Sequence, residues 1–128
     1  MSPPPRPTDA ELSILRVLWS TGPATVRTVF EALQAERPVN YTTVLKLLQI
    51  MTDKGLVTRD ESARSHIYAP AQAEAETQGS LVRDLLDKAF AGSTSRLVMR
   101  ALAERPASAD ELAQLRELLA RLERKGEP

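Results

Sequence analysis

Residues 38–55 read PVNYTTVLKLLQIMTDKG. The stretch carries an apolar series spaced three or four residues apart, namely Tyr41, Val44, Leu48 and Met51, with Leu45 and Leu47 beside it. This spacing predicts a helix with one buried face. At about 100° per residue, the opposite face carries Thr42, Thr43, Lys46, Gln49, Ile50 and Asp53. A face that is merely solvated does not need hydroxyls, an amide and a lysine together, whereas a face that reads DNA base edges does.

The composition excludes several classes of protein. The 128 residues suffice for one domain, or for a small domain with an appendage. With one Trp, two Tyr and two Phe, the core must consist mostly of Leu, Val, Ile and Ala. The chain contains no cysteine, so disulfides, Cys-ligated zinc and thiol catalysis are all excluded.

The N-terminal segment MSPPPRP (1–7) is expected to be a disordered lead-in. It lacks the apolar region of a signal peptide, and no run in the chain approaches the roughly 18 apolar residues of a membrane span. We therefore expect a cytoplasmic protein.

The formal net charge is zero. Up to Pro70 there are eight Lys and Arg residues against seven Asp and Glu residues. A strongly basic domain would favour a nucleic-acid partner directly, and this chain has none. If DNA is the partner, positive charge must be concentrated locally.

Capping signals divide the first half of the chain into three helices. Thr8 and Glu11 form a capping box at the start of the first helix, and Gly22 ends it. Thr25 and Asn40 are the predicted N-caps of the second and third helices, and Gly55 is the predicted end of the third.

The pattern then changes to that of a short β-hairpin. Leu56–Val57 and Ile67–Tyr68 flank a polar turn near 60–64, and Pro70 keeps the second strand short. Three helices followed by a hairpin is the order of a winged helix-turn-helix. The predicted fold class is therefore mainly α with a small β-hairpin, with a winged-helix domain at 8–70.

The remainder, 71–128, is expected to be a helical dimerisation domain. Its leucine-rich stripes would form a thin bundle in a single chain, so a second copy is the expected partner. The predicted dimerisation residues are Leu81, Leu85, Leu86, Phe90, Leu97, Val98, Leu102, Leu112, Leu115, Leu118, Leu119 and Leu122.

The third helix is the predicted recognition helix. Thr42 and Thr43 can bond base edges or phosphates, Lys46 suits a phosphate or guanine, and Gln49 suits adenine. Ile50 is apolar on this polar face, and either a thymine methyl or the hairpin is its expected contact. The predicted DNA-binding residues are Asn40, Tyr41, Thr42, Thr43, Lys46, Gln49, Ile50, Arg59 and Arg64.

The hairpin supplies Arg59 and Arg64, which suit the minor groove or phosphates but are also typical of a solvated turn. His66 is the single histidine. We interpret it as a packing or hydrogen-bonding residue, and we expect neither a metal site nor a cofactor. No glycine-rich phosphate loop or nucleophile motif is present, so an enzyme is not expected.

NYTTVLKLLQIMTDKGLV (40–57), SHIYAP (65–70) and the helical tail resemble the penicillinase-repressor family, as does the first helix with its Leu18–Trp19 pair. That family includes the beta-lactamase, methicillin-resistance and copper-transport repressors. The resemblance implies a homodimeric transcriptional repressor that binds inverted-repeat operators in double-stranded DNA.

Three departures from the family pattern stand out. The copper-sensing branch carries a cysteine-rich C-terminal motif, which this chain lacks. The antibiotic-resistance branch is inactivated by cleavage of an Asn-Phe bond in the tail, and Arg100–Ala101 lies at that place here. The partner that the resemblance to this branch implies is a membrane sensor-protease, and its cleavage specificity would have to differ from that for an Asn-Phe bond. Ile50 stands where a basic residue is common.

Two hypotheses follow. The first is a homodimeric repressor that loses DNA affinity when tail-mediated dimerisation is lost. The second is a winged-helix module that binds a protein rather than DNA, which the zero net charge and Ile50 favour. A steep salt dependence distinguishes DNA binding from the second hypothesis.

Overall fold

The computed structural model describes residues 6–126, so residues 1–5 of the predicted lead-in lie outside the description. The elements are α1 (Asp9–Thr21), α2 (Val26–Gln34), α3 (Tyr41–Lys54), β1 (Val57–Asp60), β2 (Ile67–Pro70), α4 (Glu74–Ala89), α5 (Thr94–Glu104) and α6 (Ala109–Gly126). This order confirms the predicted fold class. The chain forms two compact units, one up to Val82 and one from Arg83, so α4 contributes residues to both.

The helix ends of the first unit follow from local side-chain chemistry, as predicted. The Glu11 N–H donates to Thr8 Oγ1 at 3.2 Å, and the Thr8 N–H donates to Glu11 Oε1 at 2.9 Å. Asn40 caps α3, and Gly55 ends it in the left-handed conformation with φ 81°. A residue with a Cβ is strained in that conformation, which accounts for glycine there.

One hydrophobic core holds α1, α2, α3 and the hairpin together. Burial of each large apolar side chain contributes about 1.5–3 kcal/mol relative to exposure. The core residues are Ile14, Leu15, Leu18, Ala24, Val26, Val29, Leu33, Val44, Leu48, Met51, Leu56, Val57 and Tyr68.

The hairpin strands pair antiparallel, with Val57 opposite Pro70 and Arg59 opposite Tyr68. Ala24, in the connection between α1 and α2, adds a further bridge to the sheet. Its N–H donates to the Tyr68 carbonyl at 2.9 Å, and its carbonyl accepts from the Tyr68 N–H at 2.8 Å. The hairpin is therefore fixed to the helical core at its buried strand.

In the second unit, Ser93 caps α5, and Ser108 and Glu111 form a capping box before α6. Neither α5 nor α6 has a buried residue. Large hydrophobic side chains of the tail are exposed instead: Val82, Leu85, Val98, Met99, Leu112, Leu118, Leu119 and Leu122.

Candidate DNA-binding site

The polar face of α3 is open to solvent. Thr42, Thr43, Lys46 and Gln49 are exposed, whereas Val44, Leu48 and Met51 are buried in the core. Because the apolar side of the helix fixes its rotation, the four polar side chains are presented on one surface of the first unit. This is the face that the periodicity of the sequence predicts.

Tyr41 departs from the prediction of a buried residue, since it is 40% exposed. It is the first residue of α3, one turn before the buried Val44, and its ring lies outside the core. The ring contacts Phe30 edge to face at a centroid distance of 5.6 Å. The guanidinium of Arg27 lies over the same ring, 5.8 Å from its centroid.

The cap of α3 constrains the chemistry of Thr43. Asn40 Oδ1 accepts from both the Thr43 N–H and the Thr43 hydroxyl, each at 2.8 Å. The Thr43 hydroxyl has one proton, and this contact uses it. Thr43 Oγ1 therefore faces solvent as a hydrogen-bond acceptor.

Ile50 is 39% exposed. Among residues 6–70, Tyr41 and Ile50 are the exposed large hydrophobic side chains, and both belong to α3. At about 100° per residue, Ile50 lies on the same face of α3 as Thr43 and Lys46, so this exposed face carries one apolar side chain among the polar ones.

The two hairpin arginines differ in their environments. Arg59 Nε donates to Glu61 Oε1 at 2.8 Å. A hydrogen bond with the Tyr68 side chain, together with the charge of Glu61, raises the pKa of Arg59. Arg64 and His66 are exposed, and Arg64 forms no ion pair among residues 6–126. Arg64 is thus the hairpin arginine whose charge is not neutralised within the unit.

The C-terminal end of α3 is fixed by an ion pair to α1. Lys54 Nζ lies 2.7 Å from Oε1 of Glu11, whose side chain is 2% exposed. Burial raises the pKa of the Glu11 carboxyl, but the hydrogen bonds from Lys54 and Thr8 outweigh this and bring that pKa below its ordinary value. The carboxylate is therefore charged at neutral pH and holds α3 at one end.

Within residues 6–126, no three His, Asp or Glu side chains converge in a way that could hold a metal ion. No helix in this part of the chain combines the length and apolar character needed to cross a membrane.

The role of Arg27 and the ion pair of Glu11 were not predicted from the sequence. Arg27 is the one cation of α2, and its position in the first turn was a signal available in the sequence. Glu11 was predicted as a capping residue, but its contact with Lys54 joins residues 43 positions apart, and no local pattern indicates such a pair.

The model of the penicillinase repressor family matches residues 7–121. The transcriptional regulator BlaI of Mycobacterium tuberculosis is 40% identical over 116 residues, which span 90% of this chain and 83% of that protein. The methicillin resistance regulatory protein MecI of Mammaliicoccus sciuri is 22% identical over 110 residues, or 86% of this chain and 89% of that protein.

A solved structure supports the fold. The Bacillus licheniformis BlaI monomer, solved in complex with the blaP half-operator, matches 59% of this chain and 93% of that chain, with a TM-score of 0.51 and 24% identity. The family match over most of the chain and the mycobacterial relative confirm the resemblance read from the sequence. This chain belongs to the penicillinase repressor family, a family of transcriptional repressors.

Proposed function

We propose that this protein is a homodimeric winged-helix transcriptional repressor that binds an inverted-repeat DNA operator through α3. The observation that carries this proposal is the exposed polar face of α3 on a helix whose opposite side is locked in the core. The major groove of B-DNA, about 12 Å wide, admits such a helix. Since a transcriptional repressor acts by occupying DNA, no catalytic group is required.

The polar side chains have separate roles in this proposal. Thr43 Oγ1, whose proton is held by Asn40, accepts from an adenine or cytosine amino group. Lys46 contacts a phosphate or a guanine, and Gln49 reads an adenine. The cap by Asn40 orients the first turn of α3, the part that lies deepest in the groove.

The hairpin contacts the flanking DNA. Arg64 can bind a phosphate or enter the minor groove without losing an existing ion pair. Arg59 must first leave Glu61, 2.8 Å away, so its contribution to affinity is smaller. The carboxylates of Asp60 and Glu61 repel phosphates. The hairpin therefore approaches the DNA backbone with its Arg64 side rather than with its Asp60–Glu61 side.

The tail supplies the dimer. The 18 residues of α6 include no buried side chain, although Leu112, Leu118, Leu119 and Leu122 are large and apolar. A second copy of the tail would cover these leucines by a two-fold symmetric contact. Two winged-helix domains joined in this way bind two half-sites. Once the first domain is bound, the second is held near its half-site at a high effective concentration.

Derepression follows from loss of the dimer. Arg100 and Ala101 are exposed within α5, which has no buried residue in a single chain, so a protease that needs an extended segment has only this helix to unwind. A membrane sensor-protease is the proposed partner. Cleavage there separates α6 from the winged-helix domain, and each such domain then binds a half-site alone.

A hydroxyl-radical footprint of the full chain on the DNA upstream of its own gene tests the proposal. We expect two protected half-sites related by two-fold symmetry, with centres separated by a multiple of about 10 bp. Absence of a protected site on any nearby promoter, with a folded dimer in hand, would favour a protein-binding module with Ile50 at its surface.

A further inference from the structure

A cleft of the first unit lies between the start of α2, the start of α3 and the second strand of the hairpin. Its lining includes Arg27, Tyr41, Arg64 and His66, and no Asp or Glu residue among the described residues lines it. The cleft is therefore a local concentration of positive charge in a chain whose net charge is zero. An anion is the ligand that such a lining favours.

Arg27 is held in place without being neutralised. Its guanidinium stacks over the Tyr41 ring at 5.8 Å, and the edge contact with Phe30 at 5.6 Å supports that ring. Glu31, one turn further along α2, forms no ion pair with Arg27 among residues 6–126. A cation held by a ring face keeps its N–H donors available for a ligand.

We infer that Arg27, positioned by Tyr41, binds a backbone phosphate of the operator beside the groove that α3 enters. This inference rests on the proposed function, and it adds a DNA contact outside α3 and the hairpin tip. A phosphate diester accepts two parallel hydrogen bonds from a guanidinium, which matches an exposed arginine of fixed orientation. The first turn of α2 adds its partial positive charge to the same cleft.

Arg27→Gln in the full chain tests the contact. We expect about tenfold weaker binding to specific and to non-specific DNA alike, and a salt slope lower by about one counterion. Arg16→Gln is the matched control, because Arg16 is also exposed but lies on α1 and outside this cleft. Equal affinity and slope for Arg27→Gln and wild type would overturn the inference.

The positioning role of Tyr41 has its own test. Tyr41→Leu removes the ring face and should lower the salt slope as Arg27→Gln does, whereas Tyr41→Phe should keep the wild-type slope. In the Arg27→Gln background, Tyr41→Leu should have no further effect on the slope. A loss of slope in Tyr41→Phe, or independent losses in the double variant, would contradict positioning through the ring.

The source of the phosphate is tested with modified DNA. Methylphosphonate replacement of single phosphates should identify one position that weakens wild type but not Arg27→Gln. Inorganic phosphate exchanged for chloride at constant ionic strength should not compete. Saturable competition that depends on Arg27 would reassign the cleft to a free anion and overturn the inference.

These outcomes separate the inference from the proposed function. If wild type binds no DNA specifically, the proposed function fails, and this contact fails with it. If wild type binds and the α3 variants lose binding while Arg27→Gln does not, this inference alone fails.

Discussion

Lys54 Nζ, at the last residue of α3, lies 2.7 Å from Oε1 of Glu11 in the first turn of α1. The same carboxylate oxygen accepts from the Thr8 N–H at 2.9 Å. One buried oxygen therefore completes the cap of α1 and anchors the far end of the proposed recognition helix. The orientation of α3 and the stability of the first unit should depend on the same contact.

Lys54→Met should lower the free energy of unfolding by about 1–3 kcal/mol, because it leaves the buried Glu11 carboxylate without its cation. The measurement is urea denaturation at neutral pH. Lys88→Met is the control, because Lys88 pairs with Asp84 at 3.2 Å while 67% exposed. That exposed pair should contribute less than about 0.5 kcal/mol. Equal losses in the two variants would mean that the buried pair has no special role.

The Glu11 carboxyl should give the protein an acid-sensitive stability. Its pKa is lowered in the folded state, so between the folded and unfolded values the unfolded chain binds more protons and stability rises with pH. The contribution of the Glu11 carboxylate to the free energy of unfolding is complete above the pKa of this group in the unfolded chain, about 4.3. It is lost as pH falls through the lower pKa of the folded state. Urea denaturation at a series of acidic pH values should show that the free energy of unfolding declines less with falling pH in Glu11→Gln than in wild type. Glu31→Gln, at an exposed site, should keep the wild-type decline.

Ile50 should read a thymine methyl. Replacement of one operator thymine by uracil removes that methyl and should weaken DNA binding by wild type roughly fourfold, the value of one buried methyl group. Ile50→Ala should bind the two DNAs equally. Its salt slope should match that of wild type, since no charge is lost. A uracil scan in which no position depends on Ile50 would leave Ile50 without a base contact.

Leu119→Asn combined with Leu122→Asn should raise the dimer dissociation constant, because both leucines are exposed on one face of α6 in a single chain. Sedimentation measures this constant, and operator affinity should fall with the dimer population. Glu117→Asn lies on the other side of α6, at about 100° per residue, and should leave both quantities unchanged. Unchanged sedimentation of the leucine variant would place the dimer contact elsewhere.

The parts of the fold that depend on neighbouring residues could be predicted from the sequence. The caps at Thr8, Thr25 and Asn40 and the stop at Gly55 use contacts within four residues, and each lies where the sequence indicates. The polar face of α3 follows in the same way from the periodicity of its apolar residues, which fixes how the helix is rotated about its own axis relative to the core.

Contacts between distant residues could not be predicted. The bridge from Ala24 to Tyr68 and the pair of Glu11 with Lys54 depend on how elements pack. Tyr41 has the spacing of a core residue, but it lies at the start of α3, beyond the reach of the core. Its exposure is what allows Arg27 to stack on it, so the cleft was also beyond prediction.

The central claim is that α3 reads operator DNA. The most direct test is a mobility shift with DNA from upstream of the protein's own gene, at two salt concentrations, for wild type and for Thr43→Ala combined with Lys46→Ala. Both substituted residues are exposed, so the double variant should stay folded. We predict a sequence-specific, salt-sensitive shift for wild type that the double variant loses. An equal shift for both proteins, or none for a folded wild-type dimer on any nearby promoter, would contradict the claim.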